Sequence, residues 1–164
     1  MRTLGLVAAF FICASYGISQ PGPASSYDRI KALAGEWEAQ LAGFGKISNT
    51  IRVVSNGRAI EETIGTAADN EVSLYTRAGN RMVMTHYCAL TPDGNQPRFE
   101  TGPLAADQNN FEFEFVSADN LPDDNARHMR HVTMKLIDRS HFTEKWTMVE
   151  NGKETILELN FVRH

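Results

Sequence analysis

The sequence predicts an all-β domain, an antiparallel up-and-down barrel of about eight to ten strands with a short N-terminal helix. Beyond Gly35, short runs rich in β-branched and aromatic residues alternate with clusters of Gly, Asn, Asp and Pro. Nearly every join between these runs is short, so runs that follow one another are expected to pair antiparallel. A meander of this length would leave two exposed edges, and closing it into a barrel removes them.

The first 19 residues have the three-part layout of a secretory signal peptide. Met1-Arg2 gives a positive start, an apolar run covers residues 4–14, and the small residues Gly17 and Ser19 precede Gln20. The apolar run is too short for a membrane span, which takes roughly 20 residues. We therefore expect an exported protein, periplasmic or extracellular, in which residues 20–24 form a flexible spacer and residues 25–164 form one domain.

The net charge and the cysteine content limit which classes of binding partner and which covalent cross-links this protein can have. The net charge of the 164 residues is −4, and loss of the positive Arg2 with the signal peptide makes it −5. Because no basic run is present, neither a nucleic acid nor a membrane surface is an expected partner. After cleavage Cys88 is the one remaining cysteine, so an intramolecular disulfide is excluded. The expected partner is a small molecule, and the chain is expected to be a monomer or homodimer.

The helix is predicted just before the strands begin. Ser25 or Ser26 can cap it, Tyr27 and Ile30 then fall at helical spacing, and Gly35 is expected to end it in a left-handed conformation. The strands are predicted at residues 36–41, 48–55, 58–65, 71–76, 81–90, 98–102, 110–117, 131–138, 141–149 and 154–163.

Alternation along the strands predicts which side chains face the lumen. Phe111, Phe113 and Phe115 share one face of their strand, and glutamates occupy the other. Other inward candidates are Met84, His86 and Cys88 in one strand and Glu144 and Trp146 in another. Apolar walls with a few polar groups are typical of a small-molecule pocket.

The preferred interpretation is a binding protein for a small apolar or amphipathic molecule. Its expected ligand-binding residues are Met84, His86, Cys88, Arg98, Phe111, Phe113, Phe115, Glu144 and Trp146. The alternative is an enzyme in which His86 and Glu144 transfer protons, as an isomerase, cyclase or hydrolase, because burial shifts their pKa values. A third possibility is a structural module whose lumen is packed solid.

A metal site is a further alternative to a barrel without cofactors. His86 and Cys88 lie two residues apart, which puts an imidazole and a thiol about 7 Å apart on one strand face. Zinc would need further ligands, for which His128 and His131 are the candidates. The simpler interpretation of His86 is a core histidine that hydrogen-bonds a neighbour, and it leaves the barrel without a metal or other cofactor.

The segment that joins the helix to the first strand carries a family resemblance. A short helix leading into Gly35-x-Trp37, followed by a meander with the late Arg163, resembles the lipocalin-like barrels of the calycin group. That resemblance implies a tryptophan at the closed end of the barrel, covered by the arginine. Residues 85–89, 95–98 and 141–147 are similar to uncharacterised bacterial exported proteins of this fold, which implies the fold and no particular activity.

Nitrobindin-type barrels, which bind haem, are more distantly similar. Their Gly-x-Trp is followed by a further Gly-x-Gly, whereas Glu38-Ala39-Gln40 follows Trp37 here. Their haem ligand is a histidine near the chain end, and the matching position would be the terminal His164. Haem is therefore kept as an alternative cofactor, and the sequence supports a haem-binding barrel less well than a barrel without a cofactor.

Overall fold

Ten strands form one closed antiparallel sheet behind a short helix in the computed structural model. It describes residues 25–66, 69–89, 91 and 94–164, so the predicted signal peptide and spacer lie outside the described residues. The elements are α1 (Ser26–Lys31), β1 (Gly35–Leu41), β2 (Gly45–Val54), β3 (Ala59–Gly65), β4 (Asn70–Ala78), β5 (Arg81–Tyr87), β6 (Gln96–Thr101), β7 (Asn110–Asp119), β8 (His128–Leu136), β9 (His141–Glu150) and β10 (Lys153–Arg163), with a 3-10 turn at Ser55–Gly57.

Each strand pairs with the strands that precede and follow it in the chain, and β1 pairs with β10 to close the ring. This order confirms the predicted up-and-down barrel and is consistent with a lipocalin-like fold. The register shifts once between β6 and β7, at Arg98/Phe99, and once between β8 and β9, at Met129/His131. Within the described part of the chain, no helix has the length and apolar character needed to cross a membrane.

Helix α1 begins where the sequence predicts and ends earlier. The Ser25 side chain accepts a hydrogen bond from the backbone N–H of Asp28 at 3.2 Å and so caps the first turn. The helix ends at Lys31, and Gly35 already belongs to β1 with φ +143°. The predicted left-handed helix end at Gly35 is therefore wrong. Glycine is required there for another reason, because a Cβ would lie 2.5 Å from Nη1 of Arg163.

Arg163 and Trp37 close one end of the barrel. The Arg163 guanidinium lies 4.1 Å from the centre of the Trp37 ring and donates hydrogen bonds to the carbonyls of Ala34 (2.9 Å) and Ala32 (3.1 Å). The indole N–H of Trp37 donates to the carbonyl of Leu33 at 2.8 Å. The last strand is thus tied to the segment between helix and barrel, which confirms the pairing that the family resemblance implies.

Large apolar side chains fill the barrel between this closed end and the middle. Alternation along the strands turns them inward, as predicted for the phenylalanines of β7. The fully buried side chains include Tyr75, Met82, Met84, Phe99, Phe111, Phe113, Phe142 and Phe161. This packed core supports the residues of the other half of the lumen.

We expect Arg163→Ala to lower the free energy of unfolding by about 2 kcal/mol, because a cation–π contact and charged hydrogen bonds to the backbone are lost. Urea denaturation followed by circular dichroism measures the change. His164→Ala is the matched control, since its exposed ring contacts Glu38 and no part of the helix segment. Equal losses in the two variants would contradict a specific role for Arg163.

Candidate functional site

A belt of buried polar side chains crosses the middle of the lumen. Its members, called the polar belt below, are Asn49, Glu62, Ser73, Tyr75, His86 and Glu144. Ser73 is the register partner of Glu62 on one side and of His86 on the other, so β3, β4 and β5 present three polar groups at one level. Buried polar groups must find partners inside the barrel, because water does not compensate them there.

Glu62 accepts hydrogen bonds at both of its oxygens. The amide of Asn49 donates to Oε1 and the hydroxyl of Tyr75 donates to Oε2, each at 2.5 Å. The two donors satisfy both oxygens of this buried carboxyl group. Burial, and then the neighbouring Glu62, raise the pKa of Tyr75 well above its ordinary value, so Tyr75 remains a neutral donor.

Glu144 lies close to Glu62 in the polar belt. Its Oε2 accepts a hydrogen bond from the indole N–H of Trp146 at 2.9 Å. Burial, reinforced by the charge of Glu62, raises the pKa of Glu144 well above its ordinary value. Glu144 is therefore a neutral acid at pH values where an exposed glutamate is ionised.

His86 connects the polar belt to the open end of the barrel. Its Nδ1 lies 3.0 Å from Oγ of Ser73, and its ring centre lies 4.6 Å from that of Trp146. Its Nε2 is buried and has no hydrogen-bond partner among the described residues. The nearest charged atom is Oε2 of Glu71 at 3.5 Å, which is too long for a good hydrogen bond.

Glu71 lies between His86 and Cys88. Its Oε1 is 3.4 Å from Sγ of Cys88 and accepts a hydrogen bond from the backbone N–H of Ala89 at 3.0 Å. Burial opposes ionisation of this carboxyl, but the interactions with His86, Cys88 and Ala89 together outweigh burial and lower the pKa of Glu71. Glu71 is 14 % exposed and is therefore the member of this group that reaches the lumen opening.

An apolar cavity of about 120 Å³ opens beside Glu71 and is called the mouth cavity below. It lies at the Leu41 end of β1, whereas Trp37 marks the closed end. Its lining side chains include Leu41, Ile47, Ile64, Met129, Trp146, Leu157 and Leu159, with Glu71 at the polar edge. Its volume is comparable to that of the engineered cavity of about 150 Å³ that binds benzene.

The structure separates the residues that the sequence assigns to ligand binding. Trp146 lines the mouth cavity. Met84, Phe111 and Phe113 are fully buried in the packed core and do not line that cavity, while Phe115 is half-buried against the rings of Phe99 and His128.

Arg98 lies on the outer surface rather than in the lumen, where the sequence-based binding site placed it. Its guanidinium donates to Oε1 of Glu100 at 3.1 Å, and about half of the side chain is exposed. The reason is the alternation of β6, which turns Pro97 and Phe99 inward and Arg98 outward.

The four candidate metal ligands do not form one cluster, because His128 and His131 lie away from His86 and Cys88. Nδ1 of His128 lies 2.7 Å from the carbonyl of Ala126, and the ring packs on Phe115. His131 faces outward, with Nε2 2.9 Å from Oε2 of Glu112. Neither histidine belongs to the cluster that contains His86 and Cys88. The third group near His86 and Cys88 is Glu71, which the sequence analysis did not select.

Several members of the site carry a sequence signal that the analysis did not use. Glu62 lies between Ile60 and Ile64 on the inward face of β3, and Asn49 lies between Ile47 and Ile51 on β2. The same pattern, with Phe142 and Trp146 as neighbours, predicts an inward Glu144. A polar residue flanked at i−2 and i+2 by buried apolar residues is thus the signal for this polar belt.

No protein-family model matches the chain, and no curated protein was found to be similar to it. The description of the fold therefore rests on the strand order, and that of the site rests on its geometry.

We expect Glu144→Gln to change how stability depends on pH. The unfolded chain ionises Glu144 above pH of about 4.3, whereas the folded protein keeps its proton, so this residue makes the protein less stable as pH rises. The stability of Glu144→Gln relative to the unmodified protein should increase by up to about 1.4 kcal/mol per pH unit above pH of about 5. Urea unfolding at several pH values measures the difference.

The control is Glu158→Gln, whose carboxylate is exposed and pairs with Lys145. Its stability relative to the unmodified protein should change little over the same pH range. A difference for Glu144→Gln that does not vary with pH would show that Glu144 is ionised in the folded state.

Proposed function

We propose that this protein binds a small apolar or amphipathic molecule at the open end of its barrel. The observation that supports the proposal is the mouth cavity, an apolar space of about 120 Å³ with the carboxylate of Glu71 at its edge. The apolar part of the ligand occupies the cavity, and its polar part lies against Glu71.

The size of the cavity limits how much affinity the apolar part supplies. Each buried methylene contributes about 0.8 kcal/mol, so a tail of about five carbons contributes about 4 kcal/mol. That corresponds to a dissociation constant of about 1 mM. A ligand that binds more tightly must gain the rest from its polar end, which makes Glu71 the determinant of specificity.

Glu71 favours a particular kind of polar end. Its pKa is lowered, so it is a carboxylate that accepts hydrogen bonds and repels anions. The ligand class that fits is therefore an alcohol or amine with a short apolar body, rather than a fatty acid. Catalysis by His86 and Glu144 fits less well, because Glu144 is bonded to Trp146 within the polar belt and does not line the cavity.

Export and family membership are part of the same proposal. Residues 1–19 have the pattern of a secretory signal, and the contact between Trp37 and Arg163 is the one that lipocalin-like barrels are expected to make. The signal pattern supports a periplasmic or extracellular location. The contact supports a relationship to the uncharacterised exported lipocalin-like barrels. Binding of the ligand in the mouth cavity, as proposed, uses no cofactor.

A series of primary alcohols tests the binding site. Trp146 lies in the cavity wall whereas Trp37 lies at the closed end of the barrel, so Trp146 is the indole that a bound alcohol perturbs. We expect saturable changes in its fluorescence, with affinity rising about fourfold per methylene from propanol until the cavity is full, and little thereafter. Changes that never saturate, or affinities independent of chain length, would contradict binding in the cavity.

Two arginine substitutions on β10 test the location. Leu157 lines the cavity, whereas its neighbour Ile156 faces outward and is 63 % exposed. Leu157→Arg should weaken hexanol binding at least about tenfold, because a charged side chain replaces part of the apolar wall. Ile156→Arg should leave it unchanged. Equal effects of the two substitutions would place the alcohol elsewhere.

A further inference from the structure

We propose that Glu71, His86 and Cys88 form a zinc site at the polar edge of the mouth cavity, with one coordination position facing the cavity. Each residue offers one ligand atom, a carboxylate oxygen, an imidazole nitrogen or a thiol sulfur, and these atoms all lie within 4.8 Å of one another. The site stands on this geometry and does not depend on the proposed binding of an alcohol or amine.

The separations already resemble those around a tetrahedral zinc ion. Zinc–ligand bonds of about 2.0–2.3 Å at tetrahedral angles place neighbouring ligand atoms about 3.4–3.6 Å apart. Sγ of Cys88 and Nε2 of His86 lie 3.4 Å and 3.5 Å from the two oxygens of Glu71. A small rotation of the carboxylate would present one oxygen to an ion held between the three side chains.

His86 supplies an independent indication of a ligand. Its side chain is completely buried, and its Nε2 lacks a hydrogen-bond partner among the described residues while facing Glu71. On the other side of the ring, Ser73 holds Nδ1 at 3.0 Å. A hydroxyl accepts as readily as it donates, so Ser73 can accept from Nδ1–H when Nε2 binds a metal. Such a partner at the second nitrogen is usual for metal-binding histidines.

The donor set selects the metal. Nitrogen and thiolate ligands suit zinc, whereas calcium and magnesium require oxygen ligands. The Glu71 carboxylate and the Cys88 thiolate together neutralise the double charge of the ion. The balanced step is Cys88–SH + Zn²⁺ → Cys88–S–Zn⁺ + H⁺, so the thiol proton is released to solvent and nothing is oxidised or reduced.

The cavity provides access and the fourth ligand. Glu71 and Ala89 line the mouth cavity, so an ion can reach the three side chains from the open end of the barrel. Three protein ligands with one open position is the arrangement of zinc sites that bind a water or a substrate atom. The fourth ligand is thus a water or the polar atom of a molecule bound in the cavity.

Calorimetric titration of zinc chloride into the tag-free, chelator-treated full chain tests the site. We expect one zinc per chain, and at least about 100-fold weaker binding in each of Glu71→Gln, His86→Ala and Cys88→Ser. Repeating the titration in buffers of different ionisation enthalpy should show about one proton released at pH 7, where a free thiol is still protonated. The control is His131→Ala, which removes an outward imidazole beside Glu112 and Glu114 and should bind zinc normally.

Cobalt(II) gives a second measurement that does not depend on affinity. The bound ion should show a thiolate charge-transfer band and the visible bands of tetrahedral cobalt, and Cys88→Ser, which keeps the side-chain volume, should lose the first. A stoichiometry well below one zinc per chain, or binding lost in His131→Ala and kept in Cys88→Ser, would overturn the site. The alcohol titration of metal-free protein gives an independent result, so the two proposals can fail separately.

Discussion

The pairing of β1 with β10 is the interaction on which the rest of the structure depends. In the closing ladder, Trp37 is opposite Arg163 and Glu38 is opposite Val162, whereas ten residue pairs join β9 to β10. This short ladder is reinforced by the Arg163 side chain, which crosses Trp37 and bonds to the backbone before β1. Because the ring is closed, inward side chains such as Glu62, His86 and Phe113 are completely buried.

Closure decides how the inward polar groups behave. Two carboxyl groups in one lumen cannot both be charged at low cost, so burial and the neighbouring Glu62 raise the pKa of Glu144, while Asn49 and Tyr75 donate hydrogen bonds to Glu62. The polar belt therefore divides the barrel into a packed core on the Trp37 side and an apolar cavity on the Leu41 side. Glu71, His86 and Cys88 lie at the boundary between the polar belt and the cavity, and Glu71 lines the cavity.

Much of the fold could be predicted from local sequence, because alternation and turn residues are local properties. All ten strands overlap predicted ones, and Asn151-Gly152 joins β9 to β10 with φ of 50° and 72°, as a type I′ turn requires. The inward phenylalanines of β7 follow from the same alternation.

The site was less predictable because it depends on register between strands. That Glu62, Ser73 and His86 lie side by side follows from the pairing of β3, β4 and β5, which no single segment specifies. For Arg98 the alternation of one strand is enough, because Arg98 and Glu100 share one face of β6 and the buried Phe99 lies on the other. The cavity exists because the side chains do not completely fill the lumen. The alternation of residues along a strand does not predict that unfilled volume.

Diffraction from a crystal pressurised with xenon can detect the mouth cavity, because xenon enters apolar cavities that stay dry. We expect one xenon atom in contact with Leu41, Ile64, Trp146 and Leu159 at the Leu41 end of the barrel. An empty difference map there, with side chains filling the space or ordered waters bonded in it, would contradict a closed barrel that keeps room for a ligand.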